Sequence, residues 1–206
     1  PTDNSPLSRH AALPSEQMAK PAGGGVEWSP VSDIISGTAG IGLYLLSASR
    51  DLERLDARDL AAAAGRRLVT QQIATDGGTK WAMTPATPTR LYPNFSHGTA
   101  GVAYFRAMLH QATGDRAFLD AALSGARYLV KSAKTDGDVC LVFHHEPEAD
   151  GLDLFYLGWC HGPAGTGRLF HQGGTERFTA ARYCAFLATV LTATDRPIIL
   201  IQDGAR

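Results

Sequence analysis

Gly158-Trp159-Cys160-His161-Gly162-Pro163-Ala164-Gly165 reads as a tight turn entering a helix, with a thiol and an imidazole held between glycines and the apolar step Leu169-Phe170 following. Its last four residues repeat a frame that occurs twice earlier, in Ser36-Gly37-Thr38-Ala39-Gly40-Ile41 and in His97-Gly98-Thr99-Ala100-Gly101-Val102. The leading glycines, Gly37, Gly98 and Gly162, stand 61 and 64 residues apart. Other landmarks keep the same spacing: Gly65 with Gly125, and Thr75-Asp76 with Thr135-Asp136 and Thr194-Asp195. A fixed period of this length is the mark of stacked supersecondary units, each burying its apolar face against the next.

Working outward from the turns, each unit offers two helices. After Gly37, Ile41, Leu43, Tyr44, Leu45 and Leu46 put apolar groups on most faces of a helix, which predicts an inner position. Residues 57–72 are instead amphipathic, with Leu60, Ala63, Ala64, Leu68 and Val69 on one side and Arg66 and Arg67 left for solvent. The second unit repeats this order, with an inner helix over 102–111 and an outer one over 115–132. Thr75-Asp76-Gly77-Gly78 is expected to stop the outer helix, and residues 80–83 and 139–143 to form short strands. The third unit is irregular, and the approach to Gly173-Gly174 predicts poor helicity over 168–172.

Residues 1–25 carry four prolines and close on Gly23-Gly24-Gly25, so they are expected to be an irregular lead-in, with a strand edge at Val26-Glu27-Trp28. The fold class that follows is all-α. Residues 26–206 form three helical-hairpin repeats of an α/α toroid, the ring incomplete, with short connecting strands and the glycine turns gathered at one end.

Composition narrows the function. Apolar residues make up 44% of the 206 and charged ones 19%, ordinary for a globular protein. With 19 Lys and Arg against 20 Asp and Glu there is no basic excess to bind nucleic acid. No apolar run is long enough for a membrane span. Cys140, Cys160 and Cys184 are too few and too scattered for a disulfide framework, which points to a cytoplasmic, reducing setting. A first residue other than Met suggests a fragment of a longer chain.

Thiolate and imidazole are the ligand types zinc prefers, so Cys160-His161 is a metal candidate, although one such pair supplies at most two of four ligands. The competing reading of Cys160 is a small buried residue. His97 leads a helix N-terminus, where the dipole favours the neutral ring, a workable proton shuttle. The competing readings of His97 and Asp33 are helix caps. Trp159 is expected to pack the inner-helix ends, Cys140 and Cys184 to be packing residues. His144-His145-Glu146, among Pro147, Glu148 and Asp150, is expected to be a solvated loop. No Lys-Ser/Thr follows the glycine turns, so they are not phosphate loops.

With Asp33-Ile34-Ile35-Ser36-Gly37-Thr38-Ala39-Gly40, Asn94-Phe95-Ser96-His97-Gly98-Thr99-Ala100-Gly101 and Gly158-Trp159-Cys160-His161-Gly162 in one order, the chain resembles the lanthionine synthetase C-like (LanC-like) family over residues 25–170. The resemblance implies a closed α/α toroid holding one zinc ion, on which a peptide cysteine becomes a thiolate and adds to dehydroalanine or dehydrobutyrine to form a lanthionine thioether. It makes Cys160 the first zinc-binding cysteine, His97 the residue that protonates the enolate, and Asp33 an acidic residue near the site. It leaves His161 and Trp159 around the site rather than on the metal. The implied partners are a peptide with cysteine and dehydrated serine or threonine, and a dehydratase or a missing C-terminal segment.

In the family the other two zinc ligands come from the next glycine motif, and no Cys-His or Cys-Cys pair follows Cys184. The zinc site is therefore expected to be incomplete, and the isolated chain to bind zinc weakly and lack turnover. Two rival functions follow from the same sequence. One is a non-catalytic helical-repeat module that binds a peptide or protein on its turn end. The other is a carbohydrate-active α/α toroid, whose two carboxylates would have to come from Glu146, Glu148, Asp150 and Asp153.

Overall fold

The computed structural model describes residues 17–89, 91–136, 139–146 and 154–170. In chain order these form β1 (Lys20–Ala22), β2 (Gly25–Glu27), α1 (Thr38–Asp51), α2 (Leu55–Val69), β3 (Ile73–Thr75) and β4 (Gly78–Lys80). Then come α3 (Thr99–Thr113), α4 (Arg116–Ser132), β5 (Lys134–Asp136), β6 (Val139–Leu141) and α5 (Pro163–Phe170). The described elements belong to a compact unit of residues 1–172; a second unit, 173–206, lies outside the described residues, and with it Cys184 and Thr194-Asp195.

The 60-residue period corresponds to a hairpin, a glycine turn, an inner helix and an outer helix. Inner helix α1 packs on outer helix α2, and α3 on α4; α1 lies beside α3, and α3 beside α5, so the inner helices stand in a row in chain order. Hairpin strand β2 packs on α2 and β4 on α4, so the first two hairpins each lie against the outer helix of their own unit. The fold is therefore helix-rich with a small two-stranded sheet per unit.

Part of the segment expected to be irregular is a strand pair, β1 with β2. Gly23-Gly24 form the two-residue loop between paired Ala22 and Gly25. Thr75-Asp76-Gly77-Gly78 is likewise not a helix stop. Helix α2 ends at Val69, and Asp76-Gly77 is the loop of a second hairpin in which Thr75 faces Gly78. Asp-Gly is among the strongest two-residue hairpin signals, but strands of three residues carry too little alternation to show beside a helical pattern.

Helix ends and packing follow local chemistry. Asp115 caps α4 by accepting from the Ala117 N–H at 2.9 Å, and α3 stops at Gly114 in the left-handed conformation. The core runs between inner and outer helices through Leu45, Leu68, Val102, Phe105 and Leu109. Trp81, immediately after β4, is fully buried and donates its indole N–H to the Leu68 carbonyl at 2.7 Å, a helix-end acceptor. The landmark glycines are close-approach positions: a methyl at Gly65 would meet Leu109 and Phe118, and one at Gly125 would meet Ala103 and Trp81.

Three further expectations change. Arg67 is not left to solvent; its guanidinium donates to Glu27 at 2.6 Å, both half-buried, tying α2 to β2. Helix α1, expected to be buried on most faces, leaves Tyr44 exposed while Leu45 is buried. Residues 168–170 are helical in α5, where Leu169 packs into the core; the glycines expected to disrupt them lie farther on.

Candidate functional site

The three glycine turns are one structure used three times. Six residues before each leading glycine stand Val31, Tyr92 and Tyr156, whose carbonyls press on Gly37, Gly98 and Gly162. The N–H following the glycine donates to that carbonyl in the first two turns, Thr38 to Val31 and Thr99 to Tyr92, each at 3.0 Å. The third turn has Pro163 there, which lacks the N–H and suits the first position of a helix. The carbonyls of Ile34, Phe95 and Trp159 lie against the second glycine of each frame, Gly40, Gly101 and Gly165, where any side chain would overlap the backbone.

Lateral backbone bonds join the turns into a ladder. Ile34 N–H donates to the Ser96 carbonyl at 3.2 Å, and Ser96 N–H to the Cys160 carbonyl at 3.0 Å. Side chains repeat the pattern. The residue four before one glycine bonds the residue one before the next: Asp33 with His97, and Asn94 with His161.

Asp33 is fully buried. One carboxylate oxygen accepts from His97 Nδ1 at 2.7 Å and the other from the Ser36 N–H at 2.8 Å, so it holds His97 rather than capping α1. His97 does not cap either: the N-cap of α3 is Gly98, and the His97 side chain is 26% exposed. Asn94 is also buried; its amide N–H donates to the His144 carbonyl at 2.8 Å and its oxygen faces His161 Nδ1 at 3.1 Å. Burial, and to a lesser degree the charge of His97, lowers the pKa of His161 from the usual imidazole value. The His97 and His161 rings lie 5.4 Å apart at 33°, with the Tyr92 ring 6.0 Å from each.

His144-His145-Glu146 is not a solvated loop. His144 lies 4.4 Å from the His161 ring and 4.7 Å from Tyr156. Glu146 exchanges backbone bonds with Leu91 and pairs with Lys80 at 2.6 Å, both half-buried. The segment is a wall of the turn end, held by partners 50 to 66 residues away, which loop composition cannot reveal. His144 and His145 face each other through Nδ1 at 2.9 Å. The sequence reading does not single out Tyr92, Asn94 or Tyr156 as site residues, and it puts His144 in a solvated loop. A signal existed for three of them: Asn94 shares the offset of Asp33, and Tyr92 that of Tyr156.

Trp159 packs edge-on to Phe95 at 5.1 Å, at the end of the neighbouring turn. Cys160 is a free, exposed thiol on the third turn. The side chain of Cys140 lies outside the described residues.

A family model for lanthionine synthetase C-like proteins matches residues 7–186, which takes in all three turns. The chain belongs to the lanthionine synthetase C-like family. No curated protein matches it. Among the described residues of this LanC-like chain, no helix is long and apolar enough to cross a membrane.

Zinc is the cofactor the LanC-like fold implies, and the donor set tests it. Among the described residues no three His, Cys, Asp or Glu side chains are grouped to hold a metal ion. Cys160 is accessible as one ligand, and Asn94 holds Nδ1 of its neighbour His161, leaving Nε2 as the ring's remaining donor atom. The described residues do not by themselves fit a zinc site. As for a glycosidase pair, Glu146 is engaged by Lys80, and Glu148, Asp150 and Asp153 lie outside the described residues.

Proposed function

We propose that the turn end of this LanC-like chain serves the addition of a thiol to a dehydrated serine or threonine in a peptide, with His97 handling the proton. The observation that supports this reading is the His97–Asp33 pair: an exposed-edge imidazole oriented from beneath by a fully buried carboxylate. A carboxylate accepts only, so His97 Nδ1 carries hydrogen and Nε2 is the nitrogen left for substrate. As sulfur bonds to the β-carbon, the π electrons of the dehydro residue pass to the α-carbon and its carbonyl. The α-carbon then takes a proton from His97 Nε2, while Asp33 compensates the ring's charge before transfer.

Cys160 would be one zinc ligand, the others coming from outside the described residues, and the setting a reducing, cytoplasmic one. Zinc, when bound, supplies a thiolate at neutral pH. The architecture would be that of an α/α toroid, a further inner helix covering the Tyr44 side of α1. A second reading, a peptide-binding module without catalysis, is favoured by the exposed Tyr156, Leu157 and Trp159 at the rim of the third turn.

The test is to incubate the chain, with and without added zinc, with a dehydroalanine peptide and a cysteine thiol, and to follow thioether mass and bound metal. Weak zinc binding lost in Cys160→Ser, and thioether formation lost in His97→Asn, support the proposal. Peptide binding without thioether under any metal condition moves the function to the second reading.

A further inference from the structure

His97 and His161 occupy equivalent places in successive turns but rest on different partners, a carboxylate and an amide. The amide settles a proton. Asn94 Nδ2 lies 2.8 Å from the His144 carbonyl, which can only accept, so the nitrogen of the amide is on that side. Its oxygen then faces His161 Nδ1 at 3.1 Å, and an amide oxygen also can only accept. His161 Nδ1 must carry the hydrogen. In the neutral ring Nε2 is therefore a bare lone pair, and it has no hydrogen-bond partner among the described residues. Burial of Asn94 removes water as a competing partner for the amide.

We propose that Asn94 is a positioning residue that locks His161 with its proton on Nδ1, so that Nε2 accepts a hydrogen bond from the S–H of the incoming thiol. The role as thiol acceptor rests on the thiol-addition reading above; the locked tautomer does not. The two imidazoles are then a complementary pair 5.4 Å apart. His161 orients the sulfur that attacks one carbon of the dehydro residue, and His97 serves the carbon beside it. Binding leaves the S–H bond intact; as the S–C bond forms, that proton passes to His161 Nε2 and the α-carbon takes one from His97 Nε2.

The experiment is long-range proton–nitrogen correlation NMR on the ¹⁵N-labelled full chain at neutral pH, without substrate and then with N-acetylcysteine amide as the probe thiol. Expected are a protonated, pyrrole-type Nδ1 and a bare, pyridine-type Nε2 for His161, with Nε2 moving saturably on addition of the probe. In Asn94→Leu the ring populates both tautomers and the probe binds about tenfold more weakly, the weight of one lost hydrogen bond. Asn94→Asp, which keeps the acceptor, restores the Nδ1–H tautomer. A hydrogen on Nε2 in the unsubstituted protein overturns the locked tautomer, with no dependence on whether any variant folds. An Nε2 resonance indifferent to the probe overturns the thiol role. Both readings stand apart from turnover, so a protein that binds the probe in this way but makes no thioether contradicts the catalytic proposal and not this one.

Discussion

The second and third glycine turns share one backbone frame and differ in what surrounds them. In the second, Asn94, Ser96 and Phe95 are buried, Phe95 at 2% exposure, because α3 stands between α1 and α5. In the third, the residue equivalent to Phe95 is Trp159, 40% exposed, and the residue equivalent to Ser96 is the exposed Cys160. The frame belongs to the repeat, whereas burial belongs to the neighbours. Chemistry follows burial: the sandwiched turn holds the fixed polar contacts, and the more open one presents the thiol and the aromatic rim.

The largest expected effect breaks this contrast at its base. Gly98→Ala places a methyl on the Tyr92 carbonyl inside the sandwiched turn and should cost about 3 kcal/mol of stability. Gly162→Ala meets the equivalent carbonyl of Tyr156, but in a turn with room to shift, and should cost less than half as much. Urea midpoints of the two variants decide; equal losses would mean that neighbours do not stiffen the second turn.

Next comes the carboxylate of the first turn. Asp33→Asn leaves the shape but lets the ring of His97 flip or change tautomer, and should slow any thiol addition about a hundredfold. Rates of thioether formation check it, and an unchanged rate would reduce the pair to a packing contact.

Behind the second turn, Arg106 of α3 is fully buried, with one hydrogen bond among the described residues, Nη1 to the Gly65 carbonyl at 2.9 Å, and its guanidinium lies over Phe118. Its Nε and Nη2 have no partner among the described residues, and burial pushes its pKa down to about 10, still cationic at neutral pH. A buried cation with two nitrogens unsatisfied is costly even beside Phe118 and the charge of Asp115, so Arg106→Met should stabilise the fold by about 1–2 kcal/mol, read as a higher urea midpoint.

The smallest effect sharpens the contrast between the two imidazoles. The folded-state pKa of His161 is lowered, so above the unfolded value of 6.5 the ring is neutral in both states and contributes no pH dependence. As pH falls below 6.5 the unfolded chain binds the proton first, and stability declines until the folded ring also titrates. The drop in urea midpoint between pH 7.5 and 5.5 should be smaller in His161→Phe than in the unsubstituted protein.

The sequence by itself determined the period, the glycine frame and the order of inner and outer helices, because backbone crowding and helical amphipathicity are written locally in residue type and spacing. It was silent on the hairpins as hairpins, since three-residue strands show no alternation. Only the tertiary structure decided which side chains meet: Asp33 with His97, Asn94 with His161, Lys80 with Glu146, and His144 against the third turn. Those pairings span 64 to 67 residues in three of the four cases, and they depend on how closely adjacent units stack. That spacing is a property of the packed helices between the turns, and no single turn carries it.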